Sequence, residues 1–253
     1  MGVEYRHLLL PRGGSRRPSA ERIVRLIREL ETHGYLLPPK SPVLRSMVSS
    51  SSYDPRGRYG GARRTGATFV DASDDLFARG RPMPWPVDAS WLRQRKEALR
   101  ISWPLEWIFA HGVPYPLTRT PYLRDGTSVT YELHWSRYLI EVVAENVTAP
   151  SPVCGCGAEL VVGECGPFVS VSRTRCAACG AKFDPSSAIA RIVDCDTRER
   201  RSVPGGALYR FALEIDLGKS VPEDGGLVRV RPELRALVER VIGCAFHEIG
   251  TFY

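Results

Sequence analysis

Two close pairs of cysteines constrain this chain more than any other feature of it. Cys154-Gly155-Cys156-Gly157 is followed, nineteen residues later, by Cys176-Ala177-Ala178-Cys179-Gly180, and Phe183 lies just beyond. Two residues between a pair of cysteines let both sulfurs face one point. A glycine directly after them reaches positive φ, which lets backbone amides donate to the sulfurs. Each turn is then half of a tetrahedral thiolate site, and zinc is the ion such a site holds. A segment of this size with few large apolar side chains needs that cohesion, because metal binding supplies on the order of 10 kcal/mol.

Cys176 to Phe183 resembles a zinc-ribbon knuckle, and Cys156-Gly157-Ala158-Glu159-Leu160 resembles the second half of its companion. The resemblance spans Val153 to Phe183 and departs from the family pattern at Cys154, which stands one residue closer to its partner than is usual. It implies one structural zinc (Zn2+) held by Cys154, Cys156, Cys176 and Cys179, and no particular activity. A closed set of four thiolates leaves no coordination position for water, which argues against a catalytic zinc. Redox chemistry at Cys176 and Cys179 normally requires the pair at a helix start, and Lys182-Phe183-Asp184-Pro185 does not read as one. Cys165 falls at the expected tip of the ribbon hairpin, as a spare thiol or a substitute ligand. Cys195 and Cys244 read as packing residues.

Strand–helix units are expected at both ends. Val3 to Leu10 reads as a strand, Ser19 as a helix N-cap, Ile23, Leu26, Ile27 and Leu30 as one apolar face, and Gly34 as the stop. Leu208 to Leu217 reads as a strand and Pro232 opens a helix with Leu234, Leu237, Val238, Val241 and Ile242 as its stripe. Gly243 ends that helix, and Cys244 to Tyr253 closes as a strand. Between them, Asp88 caps a short helix running to about Leu99, and Val129–Trp135 with Tyr138–Val147 reads as a hairpin turning at Ser136-Arg137. The expected class is α+β, a ferredoxin-like or related α/β sandwich, with residues 1–147 and 198–253 as the body and 148–197 as a zinc-ribbon insertion.

Charge is unevenly placed. Of 35 basic and 28 acidic residues, the first 70 positions hold 13 and 5, a net of +8, which leaves 22 against 23 for the remainder. The excess is almost all arginine and reaches into the Ser-, Gly- and Arg-rich stretch 40–66, which reads as a flexible loop. Arg56, Arg58, Tyr59, Arg63 and Arg64 are its candidate contacts to a nucleic acid or protein partner, since arginine forks suit phosphates and carboxylates and tyrosine stacks on bases.

No apolar run approaches the roughly 18 residues a bilayer crossing needs, so no membrane role is expected. No secretory leader is legible at Met1 to Leu10, and a cytoplasmic location is the expectation. The histidines His7, His33, His111, His134 and His247 are scattered, and neither a phosphate-cradling glycine loop nor a nucleophile elbow occurs. The expected function is therefore that of a zinc-stabilised, non-enzymatic binding or adaptor protein. The alternative is a metal-dependent enzyme assembled from residues distant in sequence, such as His134, Asp71 and Asp75, the last two in an acidic cluster with Asp74.

Overall fold

The computed structural model of the 253-residue chain describes residues 5–12, 16–36, 68–71, 81–95, 98–106, 114–118, 128–142, 147–148, 154–158, 175–182, 189–193, 199–204, 208–216 and 229–252. Its elements run β1 (Tyr5–Pro11), α1 (Ala20–Thr32), β2 (Thr68–Asp71), β3 (Arg81–Pro82), α2 (Ala89–Arg93), β4 (Ala98–Glu106) and β5 (Ser128–Glu141). They continue with β6 (Val147–Thr148), β7 (Ile189–Val193), β8 (Arg200–Pro204), β9 (Leu208–Asp216), α3 (Pro232–Ile242) and β10 (Phe246–Phe252). The class is mixed, with more strand than helix. One sheet has the order β10-β1-β9-β5-β4-β2-β3 and a smaller one β6-β7-β8, with antiparallel pairing throughout.

Both terminal units form as their sequences dictate. The Ser19 hydroxyl accepts from the Arg22 amide at 3.4 Å, and Ile23, Leu26, Ile27 and Leu30 are buried. Gly34 takes φ +77° just past the end of α1, where its amide donates to the Glu31 carbonyl. In α3, Pro232 stands in the first turn and Gly243 takes φ +75° at the C-terminus. There the Arg22 guanidinium, reaching across from α1, donates to the Ile242 carbonyl, so one helix helps to cap the other. A Cβ at position 243 would lie 2.9 Å from Arg22 Nη1. Gly243→Ala is expected to lower stability by roughly 1–2 kcal/mol from the left-handed backbone alone, read as a lower denaturant midpoint.

The two-residue period of the strands divides the core between two faces. From β1, Leu9 packs toward the helices, while Leu8 and Leu10 point to the opposite side. The helix-side core joins Ile101, Leu133, Phe211, Leu213, Ile215 and Phe246 of the sheet to the apolar stripes of α1 and α3. On the other face, Ile140, Val142, Ala212 and Ile249 meet Val147, Ile192 and Val203 of the small sheet. The result is three layers: helices, large sheet, small sheet.

The expected hairpin within 129–147 does not form. Residues 128–141 are one strand, β5, which pairs with β4 on one side and β9 on the other. Ser136-Arg137 contains neither glycine nor asparagine to take the positive φ that a two-residue hairpin turn requires, so the chain does not reverse there. It bulges instead. Between the pairs Trp135↔Phe211 and Ile140↔Tyr209, β5 advances five residues (135 to 140) while β9 spans two (209 to 211). Asp88 caps α2 as expected, its carboxylate accepting from the Trp91 amide at 2.8 Å, but the helix ends at Arg93, short of the expected Leu99, which lies on β4. The stretch 40–66, with Arg56, Arg58, Tyr59, Arg63 and Arg64, lies outside the described residues, as do Asp74, Asp75, His111, Cys165 and Cys195.

Candidate metal centre

The two cysteine turns close independently. In the first, Gly157 N–H donates to the Cys154 carbonyl at 2.8 Å and Cys154 N–H to the Ala158 carbonyl at 2.9 Å. In the second, Gly180 N–H donates to the Cys176 carbonyl at 2.9 Å and Cys176 N–H to the Ala181 carbonyl at 2.8 Å, with a bridge between Arg175 and Lys182 behind it. Gly157 (φ +86°) and Gly180 (φ +72°) hold the left-handed positions that end each turn. The shorter Cys154-x-Cys156 spacing is accommodated because its turn closes one residue earlier than the second.

The turns bring the four sulfurs together. The Sγ atoms of Cys154, Cys156, Cys176 and Cys179 all lie within 4.8 Å of one another. Cys154 approaches Cys179 at 3.5 Å and Cys156 approaches Cys176 at 3.7 Å. Zinc–sulfur bonds of about 2.3 Å at tetrahedral angles place sulfurs about 3.8 Å apart, whereas a disulfide needs about 2.05 Å. The spacing fits ligands around a metal ion, and these thiols are not oxidised. Cys176 is buried and Cys156 and Cys179 are exposed.

Electrostatics in the cluster call for a cation. Backbone amides at Cys179, and secondarily Ala178, hold the Cys176 thiol down at about 7. At Cys179 the Ala181 amide also favours the thiolate, but the sulfurs of Cys154, Cys156 and Cys176 outweigh it and push the thiol up to about 12. Four thiolates this close cannot all ionise without a compensating charge, and a divalent ion supplies it.

Of the two aspartates expected with His134, only Asp71 is described, and it does not share a cross-strand row with the histidine. Asp71 pairs with Leu99, whose partner on β5 is Trp135, so it stands in a different cross-strand row from His134. Asp75 lies outside the described residues. His134 instead meets Glu132 and Glu214, a carboxylate pair that sequence reasoning missed. A signal was present for one of them: Glu132 and His134 are two apart in a strand and so share a face. Glu214 comes from β9, and no local pattern ties it to His134. His7, on β1, lies with Nδ1 3.5 Å from the Glu248 carboxylate, both side chains buried, while Glu248 also accepts from the Val230 amide at 2.7 Å. Cys244 packs against the helix-side core, as expected of a packing residue.

No helix among the described residues is long and apolar enough to cross a membrane. Compared with known proteins, the chain matches no family model, no curated protein and no solved structure.

Proposed function

We propose that this protein is a zinc-stabilised binding protein without catalytic activity at its thiolate centre. In this reading an α+β body presents a zinc-ribbon insertion at 148–197 and an arginine-rich segment at 40–66 to a macromolecular partner. The observation that carries it is the set of four cysteine sulfurs converging from two closed turns, because a four-thiolate site is saturated and serves cohesion. We read the body as ferredoxin-like on the strength of the strand order β10-β1-β9-β5, with α1 following β1 and α3 lying between β9 and β10. A second reading, a metal-dependent enzyme, retains His134 from its expected residues, with Glu132 and Glu214 in place of the aspartates.

A nucleic-acid partner is favoured by arginines for which no acidic partner stands among the described residues. Arg17 lies 3.8 Å over the Trp135 ring, Arg137 sits at the β5 bulge, and Arg210 stands opposite that bulge on β9. Burial, and then the charges of Arg210 and Arg137, lower the Arg17 pKa. Together with Arg56, Arg58, Arg63 and Arg64 they suit a phosphate backbone. The test is binding of a random-sequence single-stranded oligonucleotide, followed by fluorescence anisotropy. With four phosphate contacts, raising salt from about 50 to about 200 mM should weaken binding about 50-fold. Replacing Arg56, Arg58, Arg63 and Arg64 by serine should weaken it at low salt and flatten the salt dependence. Absence of binding at low salt, or affinity indifferent to salt and to the substitutions, rejects the nucleic-acid version and leaves a protein partner.

A further inference from the structure

On the face of the large sheet away from the helices, polar residues of four strands gather where the apolar layer ends. Glu132 and Glu214 are direct cross-strand partners on β5 and β9, and His134 lies two residues along from Glu132. Their ligating atoms, His134 Nε2 and one carboxylate oxygen from each glutamate, lie within 4.8 Å of one another. Nε2 is 3.4 Å from Glu132 Oε2 and 3.6 Å from Glu214 Oε2. Ligands at about 2.1 Å from a tetrahedral centre stand about 3.4 Å apart, which matches this spacing.

Three further observations indicate that a cation belongs between these atoms. First, like charges directly opposite each other in an antiparallel pair are destabilising, and here both are carboxylates. The Glu214 side chain is only 5% exposed, so this pair lies away from solvent screening.

Second, one oxygen of the buried Glu214 carboxylate is left without a hydrogen bond although arginines stand near these acids. Arg6 Nη1 stands 3.3 Å from Glu214 Oε1 and its Nε 3.7 Å from Asp216, while Arg100 Nε is 3.8 Å from Glu132 Oε2. Glu214 Oε1, although buried, accepts no hydrogen bond.

Third, the imidazole is oriented from behind. Its Nδ1 lies 2.8 Å from the Tyr209 hydroxyl, and the two rings stack with centroids 5.9 Å apart. In the tautomer whose Nδ1–H donates to Tyr209 Oη, the Nε2 lone pair faces the two carboxylates and is available to a metal ion; in the other tautomer Nε2–H donates to Glu132. A partner that fixes the second ring nitrogen is the usual companion of a metal-ligating histidine.

We infer that Glu132, His134 and Glu214 form a second metal site, separate from the four cysteines, which takes a divalent first-row transition ion. One imidazole and two carboxylates make three protein ligands and leave a position open to water or substrate, in contrast to the saturated thiolate centre. Tyr209 acts through His134 as a positioning residue. The site does not depend on the cysteines holding zinc.

The test uses the full chain with its thiolate metal in place. Zn2+ and Mn2+ are titrated separately, with metal analysis counting ions per chain and electron paramagnetic resonance following free Mn2+. One divalent ion beyond the thiolate-bound zinc is expected for the unsubstituted protein. His134→Gln and the more accessible Glu132→Gln should each weaken its binding at least tenfold, and Tyr209→Phe about tenfold. Cys176→Ser should remove the thiolate zinc and leave this ion bound, which separates failure of one site from failure of the other. If neither Zn2+ nor Mn2+ binds beyond the thiolate stoichiometry, or if the additional ion survives both His134→Gln and Glu132→Gln, the inference is overturned. Should His134→Gln fail to fold, the stoichiometry of the unsubstituted chain and the Glu132→Gln titration decide.

Discussion

Replacing Cys176 by serine is expected to abolish zinc binding at the thiolate centre while leaving the layered body folded. Cys176 is the buried member of the four thiols, and backbone amides hold it at about 7, so at neutral pH a large fraction is already the thiolate that begins zinc capture. A serine hydroxyl at the same place does not ionise near neutrality. The remaining three sulfurs lose the closed tetrahedral set to which structural zinc owes on the order of 10 kcal/mol of its binding. Metal analysis should fall from about one thiolate-bound zinc per chain to nearly none, and hydrogen exchange at residues 154–158 and 175–182 should accelerate. Helical circular dichroism should change little, because neither apolar core contains any of the four cysteines. A chain that keeps its exchange protection at these turns after both the substitution and chelation would refute the structural role of the metal.

Phe211→Ala is expected to produce the complementary result, a loss of global stability with zinc content unchanged. Phe211 is fully buried on β9, which lies between β1 and β5 in the large sheet. Its ring meets that of Phe246 edge to face, with centroids 6.0 Å apart, beneath the helices. Removing a buried phenyl ring costs about 3–5 kcal/mol through lost transfer energy and the cavity left behind. Set against a typical total of about 5–15 kcal/mol, this should lower the Tm by about 10 °C in a chain of this size. Thermal unfolding followed by circular dichroism checks it. A shift of less than about 2 °C would mean that the helix-side core does not govern the stability of the body.

The two substitutions probe features that were not equally legible. Both cysteine turns were readable because a chelating turn is local: Cys176, Cys179 and Gly180 fix their own geometry through bonds between near neighbours. The terminal helices were readable for the same reason, since Ser19, Pro232 and Gly243 act within one turn of their own positions. Two misreadings arose where a signal depends on partners elsewhere. Ser136-Arg137 disturbs the strand as the sequence indicates, but whether a disturbance becomes a turn or a bulge depends on the neighbouring strands. Here β4 and β9 flank β5 and keep it running in one direction. The acidic cluster at Asp71 drew attention because its members are adjacent in sequence, yet the register places Asp71 in another row from His134.

The sequence by itself determined the two cysteine turns, the helix ends and the alternation that gives each strand two faces, because each depends on contacts within a few residues. Only the tertiary structure decided the strand order, the stacking of a second sheet on the first and the union of Glu132, His134 and Tyr209 with Glu214. Those residues come from β5 and β9, whose register follows from burying Leu133 and Trp135 beside Leu213 and Phe211. Once the apolar face is fixed, the two-residue period of the strands places the glutamates and the histidine together on the other side.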